Sequence, residues 1–159
     1  MDRLACPQLP GVPLHLVLRG GAPEPPAAVR ERLGAMLGCP LHAYAFMGPH
    51  LHLLLTPTCA GGATALAWAL GAPAFDATPV YSRRYVLACM RYIELNPVRA
   101  GLVRVPAQYR WSSYRANALG EDDALVTPHA LYCALGRSPA ERQAAYRRSF
   151  ARRVDGARA

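Results

Sequence analysis

The sequence contains no lysine. All 18 basic side chains are arginine, set against 10 Asp and Glu, for a formal net charge of +8 in 159 residues. The heavy use of Ala, Arg, Gly and Pro suggests a GC-rich coding bias, which accounts for arginine in place of lysine. It does not account for where the arginines fall. Through Ser82 four arginines meet four acids, and from Arg83 onward fourteen meet six. A basic half joined to a neutral half points to a polyanionic partner, nucleic acid first among them.

Other absences narrow the class. No stretch reaches the roughly 18 apolar residues that a membrane-spanning helix requires. The opening MDRLACPQLPGVP has no apolar core of the leader type, so the expected location is cytoplasmic. The five cysteines, Cys6, Cys39, Cys59, Cys89 and Cys133, are odd in number and include no C-x-x-C. That spacing excludes a disulfide framework and a zinc ribbon, and leaves reduced, space-filling thiols. No internal repeat or long linker breaks the chain.

Hydrophobic residues make up 52% of the sequence, enough for one compact domain. PLHLVLRGG (Pro13 to Gly21) reads as a buried strand ending in a glycine turn. PPAAVRERLGAMLGC follows as a helix with Val29, Leu33, Met36 and Leu37 on one side. LHAYAFM and HLHLLLTP are two strands joined at Gly48-Pro49, an antiparallel hairpin. ATALAWALG is a short helix, and PAFDATPVY an edge strand, given its internal Pro79. SRRYVLACMRYIELN (Ser82 to Asn96) is the clearest helix, with Ser82 placed to cap it. Beyond it, TPHALYCALG predicts a helix capped by Thr127 and stopped by Gly136. SPAERQAAYRRSFARR opens on the capping-box pattern Ser138-x-x-Glu141. The order predicts an α+β domain, a small antiparallel sheet with helices packed on it, followed by a helical basic extension. The division falls near Gly120, giving 1–120 and 121–159.

The chemistry begins at GPHLHLLLTP. In a strand His50, His52 and Leu54 share one face, while Leu51, Leu53 and Leu55 take the other. The two histidine Cα atoms lie about 7 Å apart, so their imidazoles can converge on one cation. H-x-H is equally what two hydrogen-bonded histidines on a wet sheet face look like. A ligand role therefore needs a third ligand and a reacting group. The Ser82–Asn96 helix offers both. At about 100° per residue, Tyr85, Cys89, Tyr92 and Asn96 form one stripe beside the apolar stripe of Val86, Met90 and Ile93. Tyr92 on that margin is either a core-edge aromatic or a phenol opening into a cleft. Asn96 is either a cap ahead of Pro97 or an amide ligand. Tyrosine, with a pKa near 10, attacks usefully only when a cation polarises the electrophile. A phosphodiester suits that role, because a phosphotyrosine ester conserves the broken link for rejoining.

These residues carry a family likeness. HAYAFMGPHLHLLLTP, RRYVLACMRYIELNPVRAGLV and YRWSSYRANALG closely resemble the REP-associated tyrosine transposases, relatives of the single-tyrosine HUH transposases of insertion sequences. The likeness covers roughly Leu9 to Gly120. It implies a ferredoxin-like fold, a divalent metal (Mg or Mn), and cleavage of single-stranded DNA near hairpins or palindromes. By position it makes His50 and His52 the metal ligands, Tyr92 the nucleophile and Asn96 an amide ligand. Two departures stand out. Met47-Gly48-Pro49-His50 lacks the asparagine that relatives carry in the turn. The segment from Cys59 to Ser82 is shorter than theirs and lacks their basic, aromatic stretch. The alternatives are a repurposed member that binds hairpin or single-stranded DNA without catalysis, and a water-using metallohydrolase.

Arg83, Arg84 and Arg91, on the tyrosine helix away from its apolar stripe, are candidates for backbone phosphates or a solvated face. Trp111, Tyr114 and Arg115 could stack unpaired bases, or Trp111 could pack on the sheet. His15 leaves the first strand toward either the site or a structural partner. Arg147, Arg148, Arg152 and Arg153 would suit a DNA-contacting helix or a basic tail.

Overall fold

A computed structural model describes residues 9–20, 26–36, 38–72 and 74–151. Cys6, Leu37, Pro73, Arg152 and Arg153 lie outside the described residues, as does the Met36 side chain. In chain order the elements are β1 (Leu14–Arg19), α1 (Pro26–Met36), β2 (Leu41–Phe46), β3 (His50–Leu55), α2 (Gly62–Ala69), β4 (Ala74–Pro79) and α3 (Arg83–Arg99). A 3-10 turn at Pro106–Gln108 leads to α4 (Tyr114–Leu119), α5 (Ala130–Cys133) and α6 (Pro139–Ala151).

The sheet has four strands in the order β2-β3-β1-β4, every neighbouring pair antiparallel. Each β-α-β unit is split by a strand of the other, which is the ferredoxin-like arrangement expected from the sequence. The β2–β3 hairpin closes at Gly48, whose φ of 69° is open to glycine at little cost.

Alternation divides the sheet into two faces. Leu14, Leu16 and Leu18 pair with Leu55, Leu53 and Leu51 and pack with Leu33, Leu66 and Leu70 of the α1–α2 side. On the opposite face the small Ala43 and Ala45, with Leu54, lie under Val86, Met90 and Ile93 of α3. α3 packs on β2 and β3. The histidine side of β3 and the matching side of β1 lie on this second face.

Three expectations are corrected. α3 does not stop at Asn96. It runs through Pro97 to Arg99, with the Ala100 amide donating to the Asn96 carbonyl at 2.8 Å. The steric bias of the residue before proline is overridden because Pro97 is itself buried. Asn96 is therefore a mid-helix residue, not a cap. Thr127 does not cap a helix either. Its amide donates to the Leu41 carbonyl at 2.7 Å, and Val126 bridges Leu41, so this stretch covers the free edge of β2. α5 begins later, with the His129 ring accepting from the Leu131 amide at 3.1 Å. Finally, Ser82 occupies the N-cap position of α3, but its hydroxyl makes no capping bond.

Other expectations hold. Glu141 accepts from the Ser138 amide at 3.3 Å and the Ser138 hydroxyl accepts from the Glu141 amide at 3.2 Å, closing the capping box of α6. Cys39, Cys59, Cys89 and Cys133 are free thiols. The extension is tied to the core through Tyr146 of α6, buried in the α3 cluster with Tyr132 and Tyr114. None of the described helices is long and apolar enough to cross a membrane.

Candidate active site

β3 and α3 bring the predicted groups together. The His50 and His52 rings are 6.5 Å apart between centroids, and the Tyr92 ring lies 6.4 Å from that of His52. His52 is buried, His50 is exposed, and Tyr92 is 40% exposed. The phenol thus opens to solvent while its neighbour on the sheet does not. Tyr92 belongs to the margin of α3, since the buried residues of that helix are Val86, Met90, Ile93, Glu94 and Pro97.

A third histidine joins them. β1 pairs with β3 so that His15 faces Leu54 and Val17 faces His52, which sets His15 diagonally beside His52. His15 Nε2 is 3.4 Å from His52 Nδ1, and the His15 ring meets Tyr92 edge-on at 5.9 Å. Burial, followed by the proximity of His15, His50 and Arg19, pushes His52 down to about 4. Burial also lowers His15. Both rings are neutral at pH 7 and keep a lone pair, which a metal ligand requires. At the rim, Arg19, paired in register with His50, forms an ion pair with Asp76 at 2.6 Å.

On α3, the Arg99 guanidinium lies 4.7 Å from the centroid of the Tyr92 ring. Cys89, on the same stripe, is pushed up by burial to about 12, so its thiol is no rival nucleophile at neutral pH. Asn96 is half-buried, and its Nδ2 is buried without a hydrogen-bond partner. Among the described residues no three His, Cys, Asp or Glu side chains gather closely enough to hold a metal ion. The donors that fit a divalent ion are the imidazoles of His50 and His52. His52 Nε2 is unpartnered among the described residues and is not one of the sealed polar atoms. An amide oxygen from Asn96 would require its side chain to present the other end to the site.

The remaining candidates separate. Arg83 and Arg84 are exposed on α3, whereas Arg91 is half-buried with Nε sealed and unpartnered. Tyr114 is buried against Phe150, with ring centroids 5.1 Å apart, and offers no face to a base. The base-stacking expectation for Tyr114 is therefore corrected. Trp111 packs partly into the α1–α2 core, and Arg110 lies 4.6 Å from its ring centroid. Its backbone carbonyl accepts from the Phe46 amide at 2.9 Å, completing the β2 edge. The Arg115 Nε donates to the Ala107 carbonyl at 3.0 Å, and its guanidinium lies 3.8 Å from Glu121. His15 and Arg99 are the groups that sequence reasoning underweighted. The signal for His15 was an imidazole alternating among the leucines of β1, opposite HLHL.

No family model matches the chain, and no curated protein matches it. Among solved structures, its fold is similar to that of a REP-associated tyrosine transposase bound to a REP hairpin. The TM-score is 0.57 at 13% identity, over 81% of this chain and 93% of that one. The chain thus shares the fold of that structure, an antiparallel four-stranded sheet with helices packed on it.

Proposed function

We propose that the chain is a single-tyrosine HUH transposase of the REP-associated type, which nicks and rejoins single-stranded DNA near hairpins. The observation that carries this reading is the Tyr92 phenol beside the His50–His52 pair, on a fold similar to that of a transposase bound to a hairpin. Tyr92 Oη attacks a backbone phosphorus while the P–O3′ bond breaks. The products are a 5′-phosphotyrosine and a free 3′-hydroxyl, the phenol proton passing to solvent and the departing oxygen acquiring one. A divalent ion, Mg or Mn, held by His50 and His52 with Asn96 as the candidate third ligand, would polarise the phosphate and offset the developing charge. Exposed Arg83 and Arg84 supply phosphate contacts that hold the strand without reading it.

The test is direct. With Mn and a hairpin-bearing single strand, a covalent protein–DNA adduct is expected in denaturing gels and is absent in Tyr92→Phe. An adduct that persists in Tyr92→Phe removes Tyr92 from the role. The second reading is a DNA-binding protein without turnover. Among the described residues no three His, Cys, Asp or Glu side chains are placed to hold a metal ion together, which favours it. Hairpin binding with no adduct under Mg or Mn would establish it, whereas cleavage that survives Tyr92→Phe would point to a water-using hydrolase.

A further inference from the structure

His15 and His52 are partners of each other. Their rings are near-parallel, 25° between planes with centroids 5.6 Å apart, and Nε2 of one faces Nδ1 of the other at 3.4 Å. A hydrogen bond between two ring nitrogens needs one N–H and one lone pair. Two proton placements satisfy it. If His15 donates, the proton of neutral His52 sits on Nε2, the ring nitrogen that has no partner among the described residues. If His52 donates from Nδ1, its Nε2 carries the lone pair. Only the second placement serves a metal ligand. Metal-binding histidines generally give their other N–H to a fixed acceptor, which sets both tautomer and ring plane.

We infer that His15 is the positioning residue for His52: its Nε2 accepts the Nδ1–H of His52 and leaves the lone pair of His52 Nε2 for a metal. The inference rests on the reading of His50 and His52 as a metal pair. A carbonyl or carboxylate usually fills this role; here an imidazole on the neighbouring central strand does. The placement is rigid because β1 is bonded to strands on both sides. His15 itself then keeps its proton on Nδ1.

The experiment uses the full chain with ¹⁵N-labelled histidine and long-range ¹H–¹⁵N correlation, without metal. His52 is expected as the Nδ1–H tautomer in the wild type. In His15→Phe it should move toward Nε2–H. In His15→Gln, whose side-chain oxygen reaches about where Nε2 stood, the Nδ1–H form should return. Mn binding followed by electron paramagnetic resonance should weaken by about 10- to 100-fold in His15→Phe. Most of that affinity should return in His15→Gln. Finding His52 as Nε2–H in the wild type overturns the inference and needs no variant. So does an Mn affinity unchanged in His15→Phe. If the wild type binds no Mn, the metal reading fails by itself, and the tautomer measurement still decides whether His15 orients His52.

Discussion

Arg99 lies over the face of Tyr92, its guanidinium 4.7 Å from the ring centroid, two turns further along the same stripe of α3. A cation there attracts a phosphate to the phenol. Arg99→Ala is expected to slow adduct formation on the order of tenfold in single-turnover assays, with Arg99→Lys recovering part of the loss. Because Arg99 is exposed, its removal should leave the denaturation midpoint nearly unchanged. An unchanged adduct rate would mean that the pairing is incidental.

Two residues beyond Tyr92, Glu94 ties α3 to α4 and α6. Its carboxylate accepts from the Ser113 hydroxyl at 2.7 Å, the Asn117 amide at 2.8 Å and the Tyr146 hydroxyl at 2.8 Å, and it is fully buried. Asn117 in turn accepts from the Tyr132 hydroxyl at 2.6 Å through its backbone carbonyl. Glu94→Ala leaves these donors without an acceptor and should destabilise the protein by about 3 to 5 kcal/mol. Tyr146→Phe removes one hydrogen bond and should cost about 1 to 2 kcal/mol. Urea denaturation checks both. Equal effects of the two variants would show that the cluster is not centred on Glu94.

The same carboxyl gives a pH signature. Burial, only partly offset by its three hydrogen bonds, raises Glu94 from 4.5 to about 7. Between those values the folded chain holds a proton that the unfolded chain has released. Stability therefore falls as pH rises from about 4.5 to 7, by up to roughly 3 kcal/mol. His42, lowered by burial, acts the other way: its contribution is lost as pH falls below 6.5 toward its folded value. In Glu94→Gln the amide oxygen can still accept from Ser113 and Asn117 and the NH2 can donate to the Tyr146 hydroxyl, but the group cannot titrate. Its stability should rise with pH over this window relative to wild type. Parallel curves for the two proteins would exclude Glu94 as the titrating group.

What the sequence made legible was local. Alternation in LHAYAFM and HLHLLLTP, with Gly48-Pro49 between them, was enough to place the hairpin and put His50 and His52 on one face. The helical stripe put Tyr92 at a margin. What stayed hidden depends on which strands and helices meet. His15 becomes a partner of His52 only because β1 lies beside β3, an order that no window of sequence states. Pro97 reads as a stop until its burial under the fold is known. Thr127 reads as a cap until the open edge of β2 claims its amide. Glu94 looks like a surface acid, since its three partners lie 19, 23 and 52 residues away.

That distinction also separates the basic and aromatic candidates for DNA. Arg83 and Arg84 are exposed, while Tyr114 is sealed in the α3 cluster and Arg115 is engaged by Ala107 and Glu121. Arg84→Ala should weaken binding of any single-stranded DNA and reduce the slope of log affinity against log salt by about 0.7, the signature of one lost phosphate contact. Tyr114→Leu should leave affinity and slope unchanged while lowering thermal stability, since it removes a buried ring. The two substitutions thus move different observables. A salt series on each, alongside a melting curve, would reverse the assignment if Tyr114→Leu changed the slope and Arg84→Ala did not.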